Sequence, residues 1–196
     1  LKVEDIRSLK IGDIVSISGT IWTCRSGFHT YFIEEGNIPP IDTTIYNVMI
    51  HSGPVVEGSK GNYKVRAISI TSSIRFEKWE PEVIHRLNLR AIIGKGKLGK
   101  ASIDAMKEVG CVHICRTGCL SGAYATMVKS VRDVHWLHLG KPEAIWVLDV
   151  SNFGPLIVEI DAHGNCLYDE AERKIKERIP AVYSKLGIDG FKYAEK

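Results

Sequence analysis

The chain has 196 residues, of which 44% are hydrophobic and 25% charged, and its formal net charge is +3. This length and composition are typical of one globular domain, or two at most, and exclude a largely disordered chain. The small, evenly spread positive charge does not indicate a protein that binds nucleic acid or an anionic membrane surface. No apolar run approaches the ~18–20 residues of a membrane span. Five cysteines without paired spacing predict free thiols and a cytoplasmic location.

Strand patterns dominate the first half of the chain. Residues 13–24 are rich in β-branched side chains that alternate with polar ones, which is typical of a strand. A short helix is predicted after it, and this helix ends at Gly36 because Pro39 and Pro40 cannot continue it. In chain order, the predicted elements are a strand at 13–24, a helix at 27–36, strands at 44–51 and 63–70, and a helix at 78–88.

From residue 90 onward the pattern changes to strands that alternate with helices, which predicts a βαβ arrangement within one mixed α/β domain. The last helix is amphipathic, and we expect its apolar stripe to pack against the body of the domain or against a partner subunit. We assign the body to 1–168 and a helical extension to 169–196. The stripe is formed by Ile175, Ile179, Val182 and Leu186. In chain order, the predicted elements are a strand at 90–94, a helix at 100–110, a strand at 111–115, a helix at 120–131, strands at 131–137, 143–150 and 155–161, and a helix at 169–186.

A glycine-rich loop at 94–101 follows a predicted strand and opens a predicted helix. It contains GxGxxG and nearly contains GxxxxGK[ST], but Ala101 stands where the second motif needs a hydroxyl group. A dinucleotide-binding fold also needs an acidic residue at the end of the next strand, and 115–119 contains none. The loop N–H groups and flanking lysines fit a small anion. A glycine turn with surface lysines is the simpler alternative.

Three basic residues each follow an apolar strand and lie among Gly, Ser or Thr: Arg25, Arg75 and Lys95. Arg binds a carboxylate through two parallel hydrogen bonds, and Lys adds a point charge. If the ends of these strands converge, the three cations form a receptor for two carboxylates. Single arginines at strand ends are usually solvated surface residues, which is the alternative for each of them alone.

Five short motifs follow one another between about residue 8 and residue 168: GDIVSISGTIWTCRSGFH, SITSSIRFE, IIGKG, LGKPEAIWVLDV and VEIDAHGN. Taken in the same order, each of the five is similar to one motif of a known family. The family motifs are a strand followed by Arg-Asp-x-x-His, then Gly-Pro-Thr-Thr-x-x-Arg-Met-Asp, Ile-Gly-Lys-Gly, Leu-Gly-x-Glu-Ala-Ile and Asp-x-x-Gly-Asn. In this order and spacing, the chain resembles the β subunit, or C-terminal domain, of iron–sulfur (class I) fumarate hydratases and L-tartrate dehydratases.

The resemblance implies a three-layer β/β/α swivelling domain and the β subunit of a hydro-lyase that hydrates fumarate to malate, active only with an α subunit. The alternatives are an L-tartrate dehydratase β subunit and a non-catalytic carboxylate-binding or assembly subunit. It implies a 4Fe–4S cluster that acts as a Lewis acid on the α subunit, with none bound by this chain. The implied partners are the α subunit and a small dicarboxylate, in a homo-oligomer or an α2β2 assembly, without nucleic acid or membrane.

The resemblance also implies roles for individual residues. Thr71 would move the proton at C3 of the substrate, and Ser72 would hydrogen-bond the substrate beside it. A Thr hydroxyl is a weak base, so its role requires adjacent cations that lower its pKa. His29 would support the turn after the first arginine, with local packing on a helix face as its alternative role. Arg25, Arg75 and Lys95 would bind the substrate carboxylates. Arg75 and Lys95 are also catalytic candidates.

The surroundings of these positions depart from the family pattern. Ser26 replaces the Asp after the first arginine, Ser69-Ile70 replaces Gly-Pro, and Phe76-Glu77 replaces Met-Asp. Such neighbours orient the residues that contact a substrate. The departures therefore bear on which substrate is used more than on the class of reaction.

Cys111, Cys115 and Cys119 are four residues apart, a spacing that invites comparison with cluster ligands. The predicted strand at 111–115 favours core packing instead, because cysteine is among the most buried residue types. The spacing matches no zinc or iron–sulfur motif. The sequence therefore predicts no metal-binding residue in this chain.

Overall fold

The computed structural model describes residues 1–116, 121–188 and 190–191, and it is a mixed α/β protein. The helices are α1 (Val3–Ser8), α2 (Ser26–His29), α3 (Glu80–Leu87), α4 (Lys100–Val109), α5 (Ser121–Thr126) and α6 (Leu167–Leu186). The strands are β1 (Ile14–Cys24), β2 (Val48–His51), β3 (Val55–Glu57), β4 (Lys64–Ala67), β5 (Ala91–Gly94), β6 (Val112–Arg116), β7 (Val128–His135) and β8 (Ile145–Ile160). A π-helical turn at Thr30–Glu34 follows α2, and 3-10 turns lie at Ser73–Phe76 and Leu137–Leu139.

Four strands lie side by side in parallel, in the order β1-β2-β5-β6. The long strand β8 is antiparallel to β6 and to β7 along one edge and to β1 along the other. Because β8 pairs with both β6 and β1, the hydrogen-bonded strands form a closed circuit, with β7 beside it. Strands β3 and β4 form a separate two-stranded antiparallel sheet. The four parallel strands end at a common edge, which is where parallel sheets place their functional residues.

Two apolar clusters flank the parallel strands, because successive strand residues point to opposite faces. Ile50 and Ile93 point into one cluster, which includes residues of β3, β4 and α5. Met49 and Ile92 point into the other, which includes residues of α2, α3 and α4. Both faces of these strands are therefore buried, as expected for parallel strands that are continuous runs of apolar residues.

Most of the predicted elements are present. The strands at 13–24 and 90–94 and the helices at 78–88, 100–110 and 169–186 are confirmed to within three residues at each end. Strands β5 and β6 are parallel and are joined by α4, which confirms the predicted βαβ arrangement. Gly110 ends α4 with a left-handed φ of 75°, a conformation that glycine adopts without steric cost.

Three predictions about elements are wrong. The helix predicted at 120–131 ends at Thr126 in α5, and residues 128–131 begin β7; Leu120 lies outside the described residues. The strands predicted at 143–150 and 155–161 are one strand, β8, since β1 pairs with it across the junction. Between the strands predicted at 44–51 and 63–70, where the sequence predicts no further strand, the structure has β3.

The amphipathic helix α6 does not pack its apolar stripe on the described body of this chain. Ile175 and Leu186 are 58% and 64% exposed, and α6 contains no buried residue. The expectation that the stripe packs on its own domain is therefore wrong for the isolated chain. Among the described residues, no helix combines the length and the apolar character that crossing a bilayer requires.

Candidate functional site

The four parallel strands bring separate parts of the sequence to one edge of the sheet. Strands β1, β2 and β5 end at Cys24, His51 and Gly94, and Cys24 pairs with His51 in register. Arg25 follows the first of these strands, and Lys95 follows the third. Two of the three predicted cations are thus at the carboxyl edge because of the chain topology alone.

The segment at 68–75 crosses the same edge and brings the remaining candidates to it. The N–H of Thr71 donates to the carbonyl of His51 at 2.7 Å, and the N–H of Ser73 donates to the carbonyl of Lys95 at 3.0 Å. At the end of β6, Arg116 Nη1 donates to the carbonyl of Ile68 at 2.9 Å. Thr71, Ser72 and Arg75 therefore lie over the ends of β2, β5 and β6.

Arg25 is held in place by contacts within the chain. Its Nη1 lies 3.4 Å from Glu143 Oε1, and the other oxygen of Glu143 accepts the N–H of Gly27 at 2.7 Å. The side chain packs so closely over Gly53 that a Cβ there would lie 2.6 Å from Arg25 Cδ. Arg25 is therefore a partly exposed cation whose position is fixed by a carboxylate and by backbone contact.

Arg75 and Lys95 differ from Arg25 because they are exposed in the isolated chain. Among the residues that the structure describes, neither cation is paired with a carboxylate. Thr71 and Ser72 between them are half-buried. The predicted residues thus give this edge two cations without a described carboxylate partner, one paired cation and two hydroxyl side chains, and this arrangement can bind an anionic molecule.

His29 lies beneath the Arg25 turn and is completely buried. Its Nδ1 is 2.8 Å from the carbonyl oxygen of Arg25, and its ring stacks on Phe76 with a centroid distance of 4.5 Å. Its Nε2 is 3.2 Å from Glu80 Oε2. His29 therefore connects the Arg25 turn to a buried carboxylate at the first residue of α3.

A buried polar network below the edge is a feature that the sequence analysis missed. Glu80 Oε1 is 3.4 Å from His51 Nε2, and Ser73 Oγ is 2.9 Å both from His51 Nδ1 and from His113 Nε2. The side chains of all four residues are fully buried. His113, in the middle of an apolar strand, is a sign of this network in the sequence. Its members could not be paired from the sequence, because His51 and Ser73 are 22 residues apart and Ser73 and His113 are 40 residues apart.

The network continues to the surface on the other side of Ser73. His113 Nδ1 is 3.0 Å from Glu159 Oε2, and the hydroxyl of Tyr168 donates to Glu159 Oε1 at 2.8 Å. Tyr168 is 38% exposed. A continuous series of polar side chains therefore runs from the Arg25 turn to the first turn of α6.

The carboxylates of this network are ionised at neutral pH. Burial by itself raises the pKa of Glu80, but His51 and His29 outweigh this effect and hold that pKa at about 2. Burial also opposes ionisation of Glu159, yet His113, Cys115 and Tyr168 hold its pKa below the usual value. The pKa of His51 is lowered, because burial outweighs the attraction of Glu80.

The glycine-rich loop holds an anion that belongs to the chain itself. Glu77 Oε2 accepts the N–H of Gly99 at 2.7 Å and the hydroxyl of Ser102 at 2.9 Å. A carboxylate is stabilised there by the free N–H groups at the N-terminus of α4. The helix terminus that was a candidate for an external anion is thus capped by Glu77.

The described cysteines at β6 do not fit a 4Fe–4S cluster. Cys111 precedes the strand and is buried, whereas Cys115 lies within it. Four residues of extended chain separate their backbones by about 13 Å, too far for both thiols to bind one cluster. Burial raises the pKa of both thiols, that of Cys115 to about 12. Cys119 lies outside the described residues.

Comparison with known proteins identifies relatives along nearly the whole chain. Residues 1–171 match the family described as Fumarase C-terminus. The chain is 33% identical over 186 residues to the L(+)-tartrate dehydratase subunit beta of Escherichia coli K12, which covers 95% of this chain and 92% of that protein. It is 36% identical over 183 residues to the putative L(+)-tartrate dehydratase subunit beta of Methanocaldococcus jannaschii, covering 91% of this chain and 93% of that one.

A longer relative is the putative fumarate hydratase class I of Geobacillus stearothermophilus, which is 36% identical over 177 residues. That alignment covers 90% of this chain but only 34% of the relative. The resemblance inferred from the five motifs is therefore confirmed: the chain belongs to the fumarase C-terminus family, the β-subunit family of class I fumarases and L-tartrate dehydratases.

Proposed function

We propose that this chain is the β subunit of a hydro-lyase that hydrates fumarate to malate together with an α subunit. The observation that carries the proposal is the presence of Arg25, Arg75 and Lys95 with Thr71 at one edge of the sheet. Fumarate has two carboxylates, and three cations on one surface are suited to hold both. The family relationship supports the reaction class.

The three cations have different parts in this proposal. Glu143 fixes the guanidinium of Arg25, so that this cation loses little conformational entropy when it binds a carboxylate. Arg75 and Lys95 are exposed and supply charge that no described carboxylate neutralises. Fixed positive charge also stabilises the negative charge that develops on a carboxylate when the adjacent carbon loses a proton.

Thr71 is the proposed group that moves the proton. In the hydration direction, the hydroxyl of water adds to one alkene carbon and a proton adds to the other; dehydration removes both. The Thr71 hydroxyl would hold the proton at C3, and Ser72 would hydrogen-bond the substrate beside it. A threonine hydroxyl can do so only where neighbouring cations stabilise its anion, and this is the role we propose for Arg75 and Lys95.

The Lewis acid of this reaction belongs, in our proposal, to the α subunit. A 4Fe–4S cluster bound there would polarise the substrate hydroxyl. The described cysteines at β6 do not fit such a cluster, and the exposure of Arg75 and Lys95 is what a site completed by a second subunit requires. We also propose the three-layer swivelling fold, which the two apolar clusters on opposite faces of the parallel strands support.

L(+)-tartrate is a second candidate substrate because of one specific observation. The two relatives that align over more than nine-tenths of their length carry the name of tartrate dehydratase subunit beta. The same edge suits either compound, because tartrate also has two carboxylates on a four-carbon chain. A non-catalytic assembly subunit is the alternative to both enzymatic functions.

The test is an anaerobic assay of this chain with the α subunit that co-purifies with it, using fumarate, malate and L(+)-tartrate. We expect fumarate and malate to interconvert, and no activity from either subunit alone. Turnover of tartrate with neither fumarate nor malate would select the second candidate. A complex that contains an intact cluster but turns over none of the three compounds contradicts the catalytic proposal and supports the assembly role.

A further inference from the structure

Three buried side chains beneath the Arg25 turn bring potential metal-ligand atoms close together. One ligand atom from each of Cys24, His29 and His51 lies within 4.8 Å of the other two. All three residues are 0% exposed. They come from the end of β1, from α2 and from the end of β2, so the fold itself brings them together.

Glu80 lies beside this group, against both of its histidines. Its carboxylate oxygens are 3.2 Å from His29 Nε2 and 3.4 Å from His51 Nε2. In a tetrahedral zinc site with bonds of about 2.0–2.1 Å to nitrogen and oxygen, neighbouring ligand atoms are about 3.3 Å apart. The distances from the carboxylate to each imidazole are already close to this value.

Two of these atoms have no hydrogen-bonding partner. His51 Nε2 and Glu80 Oε1 are buried, and neither makes a hydrogen bond of acceptable geometry, with each other or with another described group. Buried polar atoms in folded proteins are nearly always hydrogen-bonded or bound to a metal. The same holds for His113 Nδ1 and Glu159 Oε2, but among the described residues it is His51 that belongs to a cluster of three metal-ligating side chains, so its Nε2 is the atom placed to bind a metal.

The outer nitrogens of both histidines are fixed in the way that metal-binding histidines require. His29 Nδ1 faces the carbonyl of Arg25 at 2.8 Å, and His51 Nδ1 faces Ser73 Oγ at 2.9 Å. The carbonyl, which can only accept, holds a proton on His29 Nδ1, and Ser73 Oγ can accept a proton from His51 Nδ1 in the same way, which leaves Nε2 for the metal. Both Nε2 atoms are consequently directed at the Glu80 carboxylate.

A metal at His51 Nε2 is compatible with the positions of the protons along the network. Ser73 Oγ has one proton and lies between His51 Nδ1 and His113 Nε2, so one imidazole must donate to it. If a neutral His51 donates from Nδ1, its Nε2 has a bare lone pair that faces Glu80. A metal at Nε2 removes this conflict: Ser73 can donate to His113, and His113 can present its Nδ1 proton to Glu159.

We infer that Cys24, His29 and His51, with the Glu80 carboxylate beside them, form a buried binding site for one zinc-class divalent metal ion. A thiolate, a carboxylate and two neutral imidazoles balance the charge of a divalent ion, which suits a site with no exposed surface. Sulfur and nitrogen donors favour zinc over magnesium or calcium. The ion would tie β1, β2 and α3 together below Arg25, and this structural role is independent of the proposed substrate.

The test measures the metal content of the full-length chain, expressed with zinc in the medium and purified without chelators. Because the site is closed, the metal must be present while the chain folds. We expect one zinc per chain. In cells grown with cobalt, we expect a thiolate-to-cobalt charge-transfer band in the near ultraviolet. Cys24→Ala and the isosteric Cys24→Ser should both lose the band and bind zinc at least tenfold more weakly.

Cys166→Ala is the matched control, because Cys166 is also a buried cysteine of the same apolar cluster but does not belong to the group of Cys24, His29 and His51. It should keep both the zinc and the band. A wild-type chain that contains no zinc and shows no band overturns the inference. It is also overturned by a band that survives in both Cys24 variants. Neither readout depends on hydratase activity, so this test and that of the proposed function fail independently.

Discussion

Ser73 and Lys95 exchange two hydrogen bonds across the carboxyl edge of the sheet. The N–H of Ser73 donates to the carbonyl of Lys95 at 3.0 Å, and the N–H of Lys95 donates to Ser73 Oγ at 3.2 Å. The same hydroxyl contacts the two buried imidazoles of the network. The backbone of Lys95, one of the catalytic candidates, is thus positioned by Ser73. This buried residue lies two places after Thr71, another candidate.

Removing this hydroxyl should destabilise the fold and disturb the site. We expect Ser73→Ala to lower the free energy of unfolding by about 1–3 kcal/mol, because buried groups lose their only shared partner. Thermal or urea unfolding of the isolated chain measures this change. Ser59→Ala, at an exposed serine, is the control and should change stability by less than about 0.5 kcal/mol. Equal stability of the two variants would show that Ser73 does not organise this edge.

Gly94 must remain without a side chain because it lies against the same network. A Cβ at this position would be 2.0 Å from Ser73 Oγ and 2.3 Å from His113 Nε2. We expect Gly94→Ala to cost about 1–3 kcal/mol or more, since the surrounding groups are buried and fixed. Gly122→Ala in α5 meets nothing within 4 Å and should leave stability unchanged or slightly higher. Calorimetry of both variants makes the comparison, and an unaffected Gly94→Ala contradicts the buried network.

The sequence predicted the strand ends before Arg25 and Lys95 correctly because each apolar strand pattern gives way there to a basic residue among Gly, Ser or Thr. It also predicted α4, whose C-terminal Gly110 and apolar spacing are local signals. Local patterns were therefore sufficient to identify the edge of the sheet and the cations on it.

The remaining features depend on contacts between distant parts of the chain. The pairing of β1 with β8 decides that β8 is one strand, and no local pattern contains that information. Glu77 caps a helix 23 residues further on, and Glu80 meets His29 across 51 residues. The small residues that precede 128–131 led to the prediction that the helix continues through this segment. Pairing with β8 makes residues 128–131 part of a strand instead.

Arg75 should contribute most of the binding energy for one substrate carboxylate. In the complex with the α subunit, we expect Arg75→Ala to lower kcat/KM by at least about 100-fold, because one charge of a desolvated pair is then left without its partner. Arg75→Lys should also lose substantial activity, since lysine lacks the planar pair of donors. Lys129→Ala removes an exposed cation of β7 and should be neutral. Wild-type kcat/KM for fumarate, malate and tartrate in Arg75→Ala would exclude this residue from the site.

The ionised state of Glu159 should stabilise the fold only above acidic pH. Its pKa is lower in the folded chain than its usual value, so folding favours the carboxylate. This stabilisation is present above the unfolded pKa of about 4.3 and is lost as the pH falls through the folded pKa. Glu159→Gln should therefore be less stable than wild type at pH 7 by about 1–3 kcal/mol, and the difference should shrink in acid. Urea unfolding across this range gives both curves, and a difference that does not depend on pH contradicts the ion pair with His113.

The helix α6 should be dispensable for the stability of the isolated chain. From residue 171 to Leu186 its side chains are exposed, apart from the half-buried Tyr183. Burial of a large apolar side chain contributes about 1.5–3 kcal/mol to the free energy of unfolding. Little of this contribution is made by the exposed side chains of the stripe, Ile175, Ile179, Val182 and Leu186. Truncation after Asp169 should accordingly change the free energy of unfolding by less than about 1 kcal/mol. Calorimetry of the truncated and full-length chains measures it, and a fall in Tm of several degrees would mean that the stripe packs on its own domain after all. The same truncation, assayed by its effect on association with the α subunit, then shows whether the exposed stripe contributes to assembly.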